Sequence, residues 1–370
     1  MIFILLLICL LHYLNAEFVL FEKPPEGCMN SYRISKSRCL QRINSIKGCE
    51  NWLHWVGRGC PNGRDGGCQF RGHCHFSCKR ACLKQKECFW VGNKRNGYCK
   101  KKFSVITQIL QEEYSISFVK KTIRQSIERW RKIIAGQTGW GISKSTNVCG
   151  RDYSIPSGIR IEDLLILFDF RNMDGEGGIL ASAAPCIDWN DGTTAVGVIR
   201  VDKADMATTF AISPLAFLDT ITHEIGHVLG IGNKWPLRKL LAFNDTDIFY
   251  KGVNGNRGYK QIQGQGALQT YFDQRHWNPS EVGLELMNPF IDINGGAKLS
   301  ALSGRSLADL SYVIRNDAKF ESYDLKVYWS ENPRTGTVLS FGIWESFDFA
   351  DSLDEIPTIN RPDPTAFSIN

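Results

Sequence analysis

Apolar side chains recur at helical spacing in two segments of the chain. From Phe118 to Ile134 the apolar positions follow the helical period and predict an amphipathic helix of about five turns. A second helix is expected to begin at Pro214, because Ser213 and Pro214 have the types preferred at an N-cap and a first helical position. Gly230 suits the end of this helix. Both helices should therefore bury one side against a core.

Other segments have the composition of β-strands. Phe103–Leu110 precedes the first helix, and the near-continuous apolar run Leu164–Phe170 suits a strand buried on both faces. Thr193–Val201 alternates loosely and predicts a further strand. Short strands are also predicted at Val327–Trp329 and Leu339–Trp344. The order of helix, sheet and second helix predicts an α+β domain.

The second predicted helix contains the sequence His223-Glu224-Ile225-Gly226-His227. Residues four apart lie on the same face of a helix, so both imidazoles can bind one zinc ion. Glu224 can reach the open side of that ion and act as a general base in peptide hydrolysis. The alternative is a buried helix with two hydrogen-bonded histidines. Composition predicts only roughly 0.006 chance matches to this motif, which favours the metal site.

A catalytic zinc site needs a third protein ligand. The other histidines lie in the leader or in a cysteine-rich segment, with the exception of His276. His276 is therefore the candidate, although an Asp or Glu could take its place. Met287 follows in a turn-prone segment. It can either pass beneath the metal or belong to the ordinary core.

Longer stretches around these residues resemble the leishmanolysin family. The chain reads HEIGHVLGIGNKW, then a 45-residue insertion (231–275), then RHWNPSEVGLELMNP. The compact metzincins have their third histidine three residues after the motif's glycine, where this chain has Asn233, whereas leishmanolysins have it after such an insertion. Residues 163–186 and 299–314 are also similar, so the resemblance covers about residues 105–315.

This resemblance implies a metzincin-like catalytic domain with a mixed sheet and a zinc-binding active-site helix. It implies His223, His227 and His276 as ligands of one Zn²⁺ ion, Glu224 as general base, and Met287 as a hydrophobic floor under the metal. In metzincin-like proteases the strand before the active-site helix pairs with an extended substrate at the sheet edge. By that resemblance the segment from Thr193 to Val201 is the candidate edge strand.

The first residues predict export of the protein. An apolar run from Ile2 to Leu11 is too short to span a bilayer, and Leu14-Asn15-Ala16 resembles a cleavage site. Residues 1–16 are therefore a predicted signal peptide, with a signal anchor as the alternative. The expected product is a soluble extracellular protein with no transmembrane anchor.

Cysteine usage agrees with an oxidising compartment. Of 13 cysteines one lies in the leader, and ten of the remaining twelve fall between Cys28 and Cys99. In a secreted chain such a cluster predicts disulfides, although nearby His73 and His75 leave metal binding as a competing interpretation. Cys149 and Cys186 are isolated from the cluster and are expected to pair with each other. A small disulfide-rich module is therefore expected before the catalytic domain.

Positive charge is concentrated in the predicted module. Residues 22–102 contain 18 Lys and Arg against five Asp and Glu, including the run Lys100-Lys101-Lys102, whereas the net charge of the whole chain is only +6. Such a surface could bind sulfated glycans or an anionic cell surface through residues 28–102, or could simply be solvated. Because the protein is expected outside the cell, nucleic acid is not an expected partner.

The domain organisation follows from these patterns. Residues 1–16 are the signal peptide, 22–102 the basic cysteine-rich module, 103–315 the metalloprotease domain and 316–370 a C-terminal extension. The insertion is rich in Gly and Gln and carries the sequon Asn244-Asp245-Thr246, so a surface excursion with a glycosylation candidate at Asn244 is expected. The sequence predicts a secreted zinc metalloendopeptidase acting on proteins or peptides. The alternative is an adhesion or glycan-binding protein that acts through the basic module.

Overall fold

The fold is known from a computed structural model, which describes residues 97–136, 141–143, 146–149, 153–292, 295–331 and 356–359, and short elements before residue 97. The predicted signal peptide, His73, His75 and most of the basic module lie outside the described residues. Within the module two hairpins and two helices are described. They are the hairpin of Leu53–Val56 with Gly67–Phe70, the hairpin of Cys88–Gly92 with Gly97–Lys101, and the helices Lys36–Ser45 and Lys79–Leu83.

A five-stranded mixed sheet forms the centre of the described fold. In chain order its strands are β1 (Val105–Ile109), β2 (Leu164–Arg171), β3 (Ala181–Trp189), β4 (Thr194–Asp202) and β5 (Thr358–Ile359). Their spatial order is β5-β3-β4-β2-β1. Strand β2 pairs in parallel with β1 and β4, whereas β3 runs antiparallel to β4.

The main helices are α1 (Ser117–Arg131), α2 (Pro214–Val228), α3 (Val253–Gln261) and α4 (Ala301–Ser306). The remaining elements of this part are short. They include the strands Phe21–Glu22, Gly141–Ser143, Thr146–Val148, Tyr153–Ile155 and Arg160–Ile161, the helices Lys203–Ala207, Thr209–Ile212 and Pro279–Val282, and the 3₁₀ turns Glu112–Tyr114 and Leu307–Leu310. None of the described helices is long and apolar enough to cross a membrane.

Two cores cover the two faces of the sheet. In β2 the side chains of Leu164, Ile166 and Phe168 join the larger core with α1 and α2. Leu165 and Leu167 point to the opposite face and join the smaller core. Because successive side chains of a strand alternate between faces, burial on both sides explains the uninterrupted apolar run in the sequence.

Strand β4 is not at the edge of the sheet, so the prediction of a substrate-binding edge at Thr193–Val201 is wrong. Val196 is opposite Leu165 of β2 on one side, and Val198 is opposite Ala184 of β3 on the other. The backbone groups on both sides of β4 are thus used in the sheet, and an extended peptide cannot add to it. The strand that precedes α2 in the chain is an interior strand.

Helix α2 packs closely against the sheet and against α1. A Cβ atom at Gly197 of β4 would lie 2.5 Å from Cγ1 of Val228, so the absence of a side chain lets the end of α2 approach the strand. On the other side, Trp130 of α1 donates a hydrogen bond from Nε1 to the carbonyl of Thr222 (2.9 Å), and Arg129 pairs with Asp219 (2.6 Å). These contacts hold α2 on both sides.

The insertion (231–275) contributes to the core, so the expectation of a surface excursion is only partly right. Trp235, Tyr250 and Leu268 are buried, and the Trp235 ring lies 4.4 Å from that of Trp277. The insertion contains α3 and the hairpin of Leu241–Phe243 with Ile248–Tyr250. Asn244, the glycosylation candidate, is exposed at the tip of this hairpin. The insertion thus combines buried core residues with exposed segments such as this tip.

The C-terminal prediction of a strand at Val327–Trp329 is wrong, because these residues lie in the helix Leu325–Glu331. Asp324 accepts hydrogen bonds at Oδ1 from the backbone N–H groups of Lys326 (2.9 Å) and Val327 (3.3 Å), which is the capping arrangement that starts a helix. The other predicted strand, Leu339–Trp344, lies outside the described residues.

The run Lys100-Lys101-Lys102 is not a uniformly exposed basic surface. The Lys101 side chain is almost fully buried and forms an ion pair with Glu162 (3.2 Å). Only Lys102 of this run is described as exposed. Cys82 pairs with Cys99 and Cys149 pairs with Cys186, as predicted, and the second disulfide ties the segment before β2 to strand β3. Cys39 and Cys88 are also disulfide-bonded.

Candidate metal centre

Helix α2 places two imidazoles in the interior of the protein. His223 and His227 are one turn apart, and their Nε2 atoms are 2.8 Å from each other. The helix begins with Ser213, whose hydroxyl accepts from the N–H of Ala216. It ends before Gly230, whose φ of +104° favours glycine. Local sequence signals thus set both ends of the helix that carries the motif.

His276 approaches the same point from the end of the insertion. Its Nε2 atom is 3.2 Å from that of His223 and 3.0 Å from that of His227. All three side chains are buried. Among the described residues, these three form the one group of His, Cys, Asp or Glu side chains arranged to hold a metal ion.

The Nδ1 atoms of the three imidazoles each face an oxygen. His223 Nδ1 lies 2.7 Å from the carbonyl of Leu286, and His227 Nδ1 lies 2.9 Å from the carbonyl of Ile231. His276 Nδ1 lies 2.5 Å from a carboxylate oxygen of Asp273. Carbonyl and carboxylate oxygens only accept, so each Nδ1 carries the proton and donates it.

The position of the ring protons decides whether the three histidines can bind a cation. With the proton on Nδ1, each neutral ring presents a lone pair at Nε2, and three such lone pairs would meet about 3 Å apart. Burial lowers the pKa of His223 well below its ordinary value and that of His227 to about 3, which keeps both rings neutral. Three converging lone pairs repel one another but bind a cation between them, so the donor set fits a metal ion such as zinc.

Glu224 lies beside His223 in the chain and is buried. Neither of its carboxylate oxygens has a hydrogen-bond partner within the part of the chain that the structure describes. Burial raises the pKa of this carboxyl well above its ordinary value. A buried polar group without a partner is costly to stability, which is typical of a group kept for chemistry rather than for packing.

Met287 lies against helix α2 at the motif itself. A Cβ atom at Gly226 would be 2.5 Å from the Met287 sulfur, so only glycine leaves room for this contact. The backbone carbonyl of Met287 accepts from the N–H of Trp277, the residue after His276 (3.0 Å). The turn at Met287 therefore touches both the motif helix and the segment of the third histidine.

Comparison with known proteins finds a family model that matches part of the chain. Residues 77–243 match the peptidase family model described as Leishmanolysin. These residues form a leishmanolysin-family domain. The match includes His223, Glu224 and His227 but ends before His276, so the third histidine is placed by the geometry of the site. It begins within the segment predicted as the cysteine-rich module, whose boundary at residue 102 stays a prediction.

Two relatives of the leishmanolysin-family domain are similar over shorter segments. Leishmanolysin of Leishmania donovani is 30% identical over 139 residues, which cover 35% of this chain and 23% of that protein. Leishmanolysin of Leishmania chagasi is 28% identical over 130 residues, which cover 34% of this chain and 19% of that protein. The matched segment thus spans about a fifth to a quarter of the length of these relatives.

The site of this leishmanolysin-family domain contains residues that the sequence did not indicate. The carbonyls of Ile231 and Leu286 have no sequence signature, because any residue supplies a backbone oxygen. Asp273 had only a weak signal, its position three residues before His276. Trp277 is fully buried and packs in the core.

Asp273 should strengthen metal binding by fixing the ring of His276. We expect Asp273→Ala to lower zinc affinity about 10- to 100-fold, the usual cost of losing such a partner. Competition with a chromophoric chelator measures this, with Asp245→Ala at the exposed hairpin tip as the matched control. Equal affinities of the two variants would show that Asp273 does not support the metal.

Proposed function

We propose that this protein is a secreted zinc-dependent metalloendopeptidase. One observation carries the proposal: three imidazoles present their Nε2 atoms to a common point, with distances between them of 2.8 to 3.2 Å, next to a buried glutamate that has no hydrogen-bond partner among the described residues. Three protein nitrogens, one coordination position left open and an adjacent carboxylate are the components of a hydrolytic zinc site. The leishmanolysin family of the domain supports peptides as the substrate class.

Zinc is the proposed metal because the donor set consists of three imidazoles. Imidazole also suits copper, iron and nickel, but zinc favours a site with three protein ligands and one open position. When bound, zinc supplies Lewis acidity, which makes water more acidic and polarises the carbonyl of a substrate. His223, His227 and His276 would hold it.

Glu224 is the proposed general base. Its carboxylate accepts a proton from the water that attacks the peptide carbonyl and delivers that proton to the departing amine. Burial raises the pKa of this carboxyl, which makes its carboxylate a stronger base for accepting that proton. The contacts at the Nδ1 atoms keep the three histidines out of this proton transfer.

Removal of the metal tests the proposal. We expect a chelator to abolish cleavage of casein or of a quenched fluorescent peptide, and added zinc to restore it. The chelator should also lower the melting temperature, because an ion bound only by the folded state stabilises that state. Cleavage that survives complete metal removal, verified by mass spectrometry, would refute the proposed enzyme.

Secretion is supported by the apolar leader and by disulfides such as Cys149–Cys186 and Cys82–Cys99. Expression in eukaryotic cells with N-terminal sequencing tests it separately from catalysis. We expect the protein in the medium with residues 1–16 removed. Protein found only inside the cells, with its leader intact, would contradict secretion and leave the enzymatic proposal standing.

A further inference from the structure

A second buried glutamate lies near the metal centre and has no part in the proposed proton transfer. Glu285 is fully buried, and its two carboxylate oxygens accept hydrogen bonds from two sides. Oε2 accepts from the N–H of Met287 (2.7 Å) and from the hydroxyl of Ser303 (2.9 Å). Oε1 accepts from the hydroxyl of Ser300 (3.0 Å). The carboxylate thus joins the turn at Met287 to the start of helix α4.

Glu285 and His223 both form hydrogen bonds with the peptide group between Leu286 and Met287. The carbonyl of Leu286 and the N–H of Met287 belong to the same planar peptide unit. Glu285 accepts from the N–H of this unit, and His223 Nδ1 donates to its carbonyl at 2.7 Å. Because the unit is rigid, holding its N–H side fixes the direction of the oxygen that faces the imidazole.

The bond to Ser303 leads to the segment of His276. The Ser303 hydroxyl donates to Glu285 and accepts from Nε1 of Trp277 (2.9 Å), the residue next to His276. Donation to the carboxylate leaves the serine lone pairs for the indole N–H. The N–H of Trp277 in turn donates to the carbonyl of Met287. Glu285 is therefore connected to the segments behind two of the three proposed ligands.

Glu285 also has a purely structural interpretation as a cap for helix α4. The backbone N–H groups of Ser300 and Ser303 approach Oε1 at 3.4 Å each, which is weak hydrogen bonding. No Lys or Arg of the described residues forms an ion pair with Glu285, and burial raises the pKa of its carboxyl to about 7. A neutral side chain could cap the helix without this burial cost, so capping alone does not account for a carboxylate here.

We propose that Glu285 is a positioning residue of the metal centre. Its carboxylate holds the Leu286–Met287 peptide directly and Trp277 through Ser303, so that His223 and His276 direct Nε2 to a common point. The inference rests on the metal function proposed above. It predicts that metal affinity falls when Oε2 of Glu285 loses its partner Ser303, and that loss of Ser300 at Oε1 has little effect.

The two serines provide a matched test in the full-length chain. Both are buried and both donate to Glu285, but only Ser303 contacts Trp277. We expect Ser303→Ala and Glu285→Gln to lower zinc affinity about 10- to 100-fold in chelator competition. Ser300→Ala should change zinc affinity less than about 3-fold, although it removes the cap that accepts from the N–H of Leu302 and so lowers the melting temperature. The visible bands of bound Co²⁺ should shift in the first two variants only.

The possible outcomes separate this inference from the proposed function. Wild-type protein that binds no zinc would overturn the metal centre and the role of Glu285 together. If wild-type protein binds zinc and the Ser300 and Ser303 variants lose affinity equally, the carboxylate is only a helix cap and the inference is wrong. Full zinc affinity in a folded Glu285→Gln variant would also overturn it. Thermal unfolding of each variant verifies that the comparison is made on folded protein.

Discussion

Replacing Glu224 by glutamine should lower kcat/KM for peptide cleavage by about 10²- to 10⁴-fold, the range that general acid–base catalysis contributes. Glutamine has nearly the same shape as glutamate, but its amide cannot accept and return a proton at neutral pH. Zinc content should stay at the wild-type level, because the three histidines and their Nδ1 partners are unchanged. Activity against a quenched fluorescent peptide and metal analysis of the same preparation measure both effects.

The control for this experiment is Glu176→Gln, which makes the same chemical change on an exposed loop. It should have wild-type activity. A Glu224→Gln variant that retains activity within about threefold of the control would exclude Glu224 as the base. Loss of zinc together with loss of activity would instead indicate that Glu224 supports the structure of the site.

Replacing Lys234 by methionine should destabilise the fold by about 3–5 kcal/mol, because it leaves a buried charge without its partner. Nζ of Lys234 lies 2.5 Å from Oδ1 of Asp188 and 2.8 Å from the hydroxyl of Thr194, and its side chain is almost fully buried. Thr194 in turn donates to the carbonyl of Val228 at the end of α2 (2.7 Å). Denaturant unfolding of the metal-loaded protein measures the loss.

The double variant Lys234→Met/Asp188→Leu separates the loss of the pair from the cost of an unpaired charge. Replacement of a whole buried ion pair by apolar residues is often close to neutral, so the double variant should recover most of the lost stability. Arg238→Met, at an exposed position next to the same loop, is a control for removal of a positive charge. A loss below about 1 kcal/mol in Lys234→Met would show that the pair contributes little.

The parts of the fold that follow from local sequence were predictable, and the helix of the motif is the clearest case. Ser213 and Pro214 set its start, and Gly230 sets its end just after the motif. The doubly buried strand Leu164–Arg171 was recognisable because a strand covered on both faces has an uninterrupted apolar sequence. In both cases the physical cause lies within the segment.

Features that depend on distant partners were not predictable. A lysine is ordinarily exposed, and Lys234 is buried only because Asp188 lies 46 residues earlier in the chain. The position of β4 inside the sheet depends on β3 folding back against it, which no pattern within Thr194–Asp202 reveals. The helix at Leu325–Glu331 was mistaken for a strand because three apolar residues in a row fit either structure.

The two ends of the insertion determine when the metal site can form during synthesis of the chain. The carbonyl of Ile231, at its start, holds His227, and Asp273, near its end, holds His276. During synthesis His223 and His227 leave the ribosome about 50 residues before His276 does, at elongation rates of roughly 5–20 residues per second. Until then the nascent chain has two of the three ligands. We therefore expect tight zinc binding only after residues 231–275 have folded, so that the nascent chain lacks a complete metal site until then.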